Sequence, residues 1–203
     1  MGKKLVVGVL ASGRGTNLQS IINSIEEGRL DAEIGIVISD NPEAKALLRA
    51  ENHGLKQQCI ESGDFADTEE YEEEMIEVLE ENNVDLVAMA GFMKILSSYF
   101  IQHYSNRIMN IHPSLLPAFP GTDAQKQALE YGVKVSGCTV HFADEGMDSG
   151  PIIMQAAVSV LEDDTVESLS KRILAEEHRI YPEAIQLYAD NKLQVRDDRV
   201  EIL

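Results

Sequence analysis

The stretch NIHPSLLPAFPG, Asn110 to Gly121, holds Pro113, Pro117 and Pro120 and follows a short, largely apolar run from Arg107 to Ile111. Proline removes a backbone donor, fixes φ and pushes the preceding residue out of the α region. His112, which precedes Pro113, is therefore not a mid-helix residue. If Arg107 to Ile111 is a strand, Asn110 and His112 are two apart and project to the same face. A carboxamide and an imidazole then stand side by side at a strand end, followed by a stiff loop. Such a pair can donate to a carbonyl oxygen and shuttle a proton, the equipment of acyl chemistry. A polar strand terminus beside a proline turn is the plainer alternative. Spacing alone leaves both open.

Outward from that stretch the chain alternates strand and helix. Leu5 to Leu10 is a continuous apolar run, as expected of a strand buried on both faces of a parallel sheet. The loop SGRGTN, Ser12 to Asn17, precedes a helix from about Leu18 to Glu27, and Ile34 to Ser39 reads as a second strand. Asn41-Pro42 resembles an N-cap with proline at N1, and Gly54 a C-terminal stop, bracketing a second helix. Gln57 to Ile60 is a short strand. Asp67 with Glu70 predicts a capping box for a helix over 68–82, with Tyr71, Met75, Val78 and Leu79 on one face and its many glutamates solvated.

Val84 to Ala90 is a fourth strand, ending in the turn GFMKIL, Gly91 to Leu96. After the strand before His112 come a helix from Thr122 to Tyr131, an edge-like alternating strand from Ser136 to Ala143, and a strand from Ile152 to Val160. Asp164 and Glu167 open a long helix in which Pro182 predicts a kink or break. Lys192 to Leu203 could close as a polar hairpin. The pattern is α/β: one domain over 1–203, with a mostly parallel sheet covered by helices on both faces.

Composition narrows the function classes. A 203-residue chain buries roughly 70% of its unfolded surface, enough for a full core without staples. Its formal charge of −18 repels phosphate backbones and anionic lipid, so neither nucleic acid nor membrane is an expected partner. Cys59 and Cys138 are too few for a disulfide framework and point to a reducing cytoplasm. The start, MGKKLVVGVLASG, superficially mimics a signal peptide, but its apolar run is short and contains a glycine, so a first strand is the better reading. Val6, where Ser or Thr is needed, argues against myristoylation.

Open α/β sheets bind ligands outside the carboxyl ends of their strands. Four loops lie there: SGRGTN, GFMKIL, NIHPSLLP and ADEGMDSGP, the last running from Ala143 to Pro151. The first offers unpaired amides and the positive end of a helix dipole, an anion site or simply a tight turn. It is not a Walker loop. As a dinucleotide fingerprint it fails, because Leu18 stands where the third glycine would be. The last loop carries Asp144, Glu145 and Asp148, which by default are solvated acids.

NIHPSLLP, followed by Phe119-Pro120-Gly121 and by the His-x6-Asp pair His141 and Asp148, resembles the folate-dependent formyltransferases. Within that superfamily SGRGTNL, AGFMKIL and EEHRIYP (Glu176 to Pro182) are similar to the phosphoribosylglycinamide formyltransferases. The likeness covers about residues 5 to 190. It implies a Rossmann-like fold and transfer of a formyl group from 10-formyltetrahydrofolate, a co-substrate, to the amine of glycinamide ribonucleotide in purine synthesis. No metal is implied, the partners are small molecules, and a homodimer is left open.

Carried over position by position, the resemblance assigns Asn110, His112 and Asp148 to catalysis. It places the ribonucleotide phosphate on Gly15, Thr16 and Asn17, and the glycinamide end on Glu177. The pterin falls to Met93, Lys94, Ile95 and Leu96, to the loop Asp144, Glu145, Gly146 and Met147, and to Asn110. The Leu116–Pro117 bond stands at a cis-proline position. Thr68 occupies a position where some members place a base to meet the folate tail; Lys94 is the substitute. His141 is expected to orient the loop that delivers Asp148, and His53, His103 and His178 lack metal-ligand spacing.

Three rivals remain. A methionyl-tRNA formyltransferase needs an RNA-binding domain and a basic face. A formyltetrahydrofolate deformylase usually carries an added N-terminal regulatory domain. A non-catalytic nucleotide-binding module would bind a nucleotide and turn nothing over.

Overall fold

The computed structural model describes residues 3–203; the myristoylation signal considered at Met1 and Gly2 lies outside them. Seven strands form one mostly parallel sheet, in the order β3-β2-β1-β4-β5-β6-β7, and two more form a separate hairpin. The chain divides into two compact units, Met1–Met109 and Asn110–Leu203.

The first unit is parallel throughout. Strand β1, Leu5–Leu10, pairs with β2, Ala32–Ser39, and with β4, Leu86–Met89, while β2 pairs with β3, Gln57–Cys59. Val7, Val9 and Leu10 are wholly buried, as a strand covered on both faces requires. Helix α1, Thr16–Glu26, begins earlier than the sequence suggests, because Gly15 takes a left-handed conformation and turns the chain directly into the helix.

Helix α2, Lys45–Asn52, begins later than expected, capped at Ala44. Asn41 instead closes a turn by accepting the Glu43 amide at 3.0 Å, the competing role such side chains take. Helix α3, Thr68–Glu81, has the expected buried stripe of Tyr71, Met75, Val78 and Leu79. Asp67 accepts the Glu70 amide, but the Glu70 carboxylate reaches Ala66 N rather than the cap amide. One glutamate departs from the solvated face: Glu72 is only 1% exposed. It accepts from Ser97 N at 2.7 Å and from the Ser97 hydroxyl, fixing the start of α4, Ser98–His103, a helix the sequence pattern does not announce.

In the second unit, β5, Ile108–His112, runs across the boundary and leads through the proline loop to α5, Ala124–Tyr131. Gly132 ends α5 in a left-handed C-cap with its amide bonded to Ala128 and Leu129 carbonyls, the expected stop. Strand β6, Val135–Phe142, pairs antiparallel with β7, Ile152–Ser159. The edge assignment for β6 fails: all its residues after Val135 are buried, and the alternating exposure belongs to β7 at the end of the strand order.

Helix α6, Val166–Ala189, is capped by a Thr165–Ser168 box rather than by Asp164 and Glu167, and it runs unbroken through Pro182. Asp164 instead takes a two-pronged bond from Arg172, 2.9 Å on each side. A mid-helix proline costs about 3 kcal/mol, and the burial of Ile180, Tyr181, Ala184 and Ile185 to zero exposure offsets it. The tail closes as expected into a hairpin of β8, Leu193–Arg196, and β9, Arg199–Ile202.

Candidate active site

Asn110 and His112 do share a face of β5, and the same carboxylate meets both. Asn110 Nδ2 donates to Asp148 Oδ1 at 3.3 Å, and His112 Nδ1 stands 3.3 Å from Asp148 Oδ2. His112 Nε2 is 2.9 Å from the Phe119 carbonyl; a carbonyl only accepts, so Nε2 carries a proton. With Nε2–H committed, a second proton on Nδ1 gives the form that donates from both nitrogens. Phe119 offers its carbonyl from a left-handed conformation, φ 54°, rare for a bulky residue and characteristic of sites that hold strain.

The loop from Pro113 is fastened behind this pair. Thr139 on β6 donates to the Ser114 carbonyl at 2.7 Å and accepts the Leu116 amide at 3.0 Å. Gln155 on β7 donates to the Leu116 carbonyl at 2.9 Å. The Leu116–Pro117 bond is cis, as the resemblance implies.

Asp148 projects from the Ala143 to Pro151 loop with φ 54°, and its side chain is 13% exposed. Burial is the largest influence on its carboxyl and pushes it up. The hydrogen bond from the Gly121 amide and the neighbouring His141 and His112 imidazoles together outweigh burial and leave it below the ordinary aspartate value. The Gly121 bond, 2.8 Å, is the short one; His141 Nε2 is 3.7 Å away. His141 Nδ1 donates to the Phe142 carbonyl at 2.8 Å. In the neutral ring, Nε2 then accepts from Asn110 Nδ2 at 3.2 Å. His141 thus orients Asn110 as much as it orients the loop. Asp144 shapes the same loop by accepting from Gly146 N and the Ser149 hydroxyl. Met147 is 59% exposed and its sulfur packs over Gly121.

In the first unit the Ser12 to Asn17 loop turns its backbone carbonyls and its amides to opposite sides. The carbonyls of Ser12, Gly13 and Arg14 accept from Asn41 Nδ2, Ala46 N and Arg49 Nε. Each peptide plane sets N–H opposite C=O, so the amides of Gly13, Arg14 and Gly15 turn the other way. They lead into an α1 N-terminus without a side-chain cap, so the amides and the helix dipole together favour an anion. Thr16 and Asn17 open that helix.

Gly15 is more than a point of close approach. A Cβ built there lies 2.7 Å from Ala46 Cα, and its φ is 66°. Gly15→Ala is therefore expected to lower stability by about 1–3 kcal/mol, read by thermal unfolding without ligand. A melt coinciding with the wild type would show that α2 simply yields. Substitution at Gly15 consequently reads packing before it reads phosphate.

The turn after β4 presents Met93 at 72% and Ile95 at 77% exposure, with Leu96 buried beneath. Lys94 Nζ donates to the Ser62 hydroxyl at 2.8 Å, which brings its charge to the segment leading to Thr68, the exposed first residue of α3. Glu177 lies on α6 at 7% exposure. Burial, reinforced by Glu177 and Glu176, pushes the Cys138 thiol up to about 12.

His53 and His103 pair with Glu26 and Glu80. Among the described residues no group of His, Cys, Asp and Glu is placed to hold a metal ion. No helix among them is long and apolar enough to cross a membrane. The groups that sequence reasoning did not pick out, Phe119 O and Gly121 N, act through backbone. The Phe-Pro-Gly turn was their one signal.

A model of the formyl transferase family matches residues 4–185. The crystal structure of glycinamide ribonucleotide transformylase 1 from Symbiobacterium toebii is 51% identical, with a TM-score of 0.98, over 100% of this chain and 96% of that one. The phosphoribosylglycinamide formyltransferase of Bacillus subtilis is 43% identical over 178 residues, 88% of this chain and 91% of that protein. The human trifunctional purine biosynthetic protein adenosine-3 is 45% identical over 97% of this chain, which spans only 19% of its length.

Proposed function

The chain belongs to the formyl transferase family, and on that premise we propose that it carries a formyl group from 10-formyltetrahydrofolate to the amine of glycinamide ribonucleotide in purine synthesis, with residues 1–203 acting as one domain. The observation that carries this reading is Asp148, whose two carboxylate oxygens face Asn110 and His112 from one loop. The neutral amine attacks the formyl carbon, so an oxyanion and an ammonium develop together. Asn110 donates to the oxyanion, exchanging its 3.3 Å bond to Asp148 for a charge-assisted one. His112, when protonated, adds positive charge beside it. Asp148 accepts the ammonium proton, directly or through water, on its way to the folate nitrogen as the carbon–nitrogen bond of the donor breaks. The products are the N-formyl nucleotide and tetrahydrofolate.

The amides at Gly15, Thr16 and Asn17 hold the nucleotide phosphate, and Glu177 meets the glycinamide end. Residues 93–96 and 144–147 hold the pterin with Asn110. Lys94 takes the folate tail in place of a base at Thr68. The charge of −18 supports small-molecule acceptors over RNA or membrane, and two free cysteines suit the cytoplasm. The test supplies purified protein with 10-formyltetrahydrofolate and compares glycinamide ribonucleotide, tRNA and water as acceptors. Transfer to the ribonucleotide and negligible transfer to tRNA are expected. Free formate appearing faster than formylated nucleotide would make the chain a deformylase.

A further inference from the structure

Ser12 stands at the carboxyl end of β1 as the first residue of the loop assigned to phosphate, yet its own bonds lead elsewhere. Its amide donates to the Gly91 carbonyl at 3.1 Å. Its hydroxyl oxygen accepts from the Met93 amide at 2.8 Å. Its carbonyl accepts from Asn41 Nδ2 at 3.3 Å. Two of the three bonds reach the turn after β4, whose residues 93–96 are assigned to the pterin. The same turn is tied at its far end where Glu72 binds Ser97. Between those ties Met93 and Ile95 stand largely in solvent.

We propose that Ser12 is a positioning residue that couples the two substrates, its hydroxyl linking the loop that takes the nucleotide phosphate to the loop that takes the folate. This inference rests on the functional reading above. A phosphate held on the amides of Gly15 to Asn17 also steadies the Gly13–Arg14 turn before them, and through it Ser12 and the Met93 amide that Ser12 accepts. A turn already held at Met93 loses less freedom when the pterin binds, so the second ligand binds more tightly than the first. The coupling is reciprocal, and a single hydrogen bond gives about fivefold in each affinity, the low end of such couplings.

The experiment is calorimetric titration of the full chain with glycinamide ribonucleotide and with tetrahydrofolate, each alone and each with the other saturating. In the wild type each ligand is expected to tighten the other about fivefold. Ser12→Ala should bring that factor to one, while Ser12→Thr, which keeps the hydroxyl, should restore it. A merely structural role would weaken both affinities and leave the factor alone. Independent binding in the wild type overturns the inference whatever the variants do, and so does an undiminished factor in folded Ser12→Ala. If neither ligand binds the wild type, the functional reading fails and takes this inference with it.

Discussion

Asp148→Asn lowers kcat by a factor on the order of 10²–10⁴ and changes the affinity for either substrate far less. The substitution is clean in backbone terms, because asparagine tolerates the left-handed conformation at φ 54° as well as aspartate does. Asp148→Ala would add strain to the loss of charge. What asparagine removes is the acceptor proposed above for the amine proton and the negative charge facing His112 Nδ1 at 3.3 Å. It also turns an amide donor toward either Gly121 N or Asn110 Nδ2, both of which donate to the carboxylate.

Single-turnover kinetics with separately measured binding checks the result. A variant that keeps most of its turnover would make Asp148 a loop residue and remove the proton path argued above. The pH dependence carries a sign. The Asp148 carboxyl is held below its ordinary value, so its contribution to stability is present above pH of about 4. That contribution is lost only as pH falls through the lower folded value. Asp148→Asn should therefore narrow the stability gap to the wild type as the solution is acidified below pH ~4.

Asn110→Ala is expected to cost about 10²–10³ in kcat, the loss seen when one oxyanion donor is removed. It carries a second, separable cost. Asn110 Nδ2 reaches both Asp148 Oδ1 and His141 Nε2, so alanine leaves two acceptors unmet, the second of them buried, at about 1–3 kcal/mol of stability. Thermal unfolding measures that part. Turnover measured well below the melting temperature isolates the part that belongs to the oxyanion. A folded Asn110→Ala protein with wild-type turnover would assign the oxyanion to His112 alone.

The elements that sequence rendered well are those where one local rule governs. Leu5 to Leu10 is apolar throughout and became a strand buried from Val6 to Leu10. Pro113 after His112 excluded a helix and left Asn110 and His112 on one face. Misreadings arose where a distant partner overrides the local pattern. Ser136, Thr139 and His141 made β6 look like an edge, yet they are 3%, 0% and 2% exposed. Thr139 is spent on the proline loop and His141 on Asn110. Glu72 sits among surface glutamates in sequence, and only the amide and hydroxyl of Ser97 explain its burial. The contact between Asp148 and the Gly121 amide was illegible because backbone donors carry no residue signature.

The groups assigned to bond making and breaking all fall between Asn110 and Asp148, and every contact recorded among them stays inside that span. The amides assigned to the acceptor's phosphate belong to a different stretch of chain, a turn whose shape depends on Gly15 and Ala46. The proton path and the phosphate site are therefore assigned to separate segments. On these assignments, rebuilding residues 12–17 is expected to change how the acceptor's phosphate is held without disturbing the proton path, whereas changes at Asn110, His112 or Asp148 are expected to lower transfer to every acceptor.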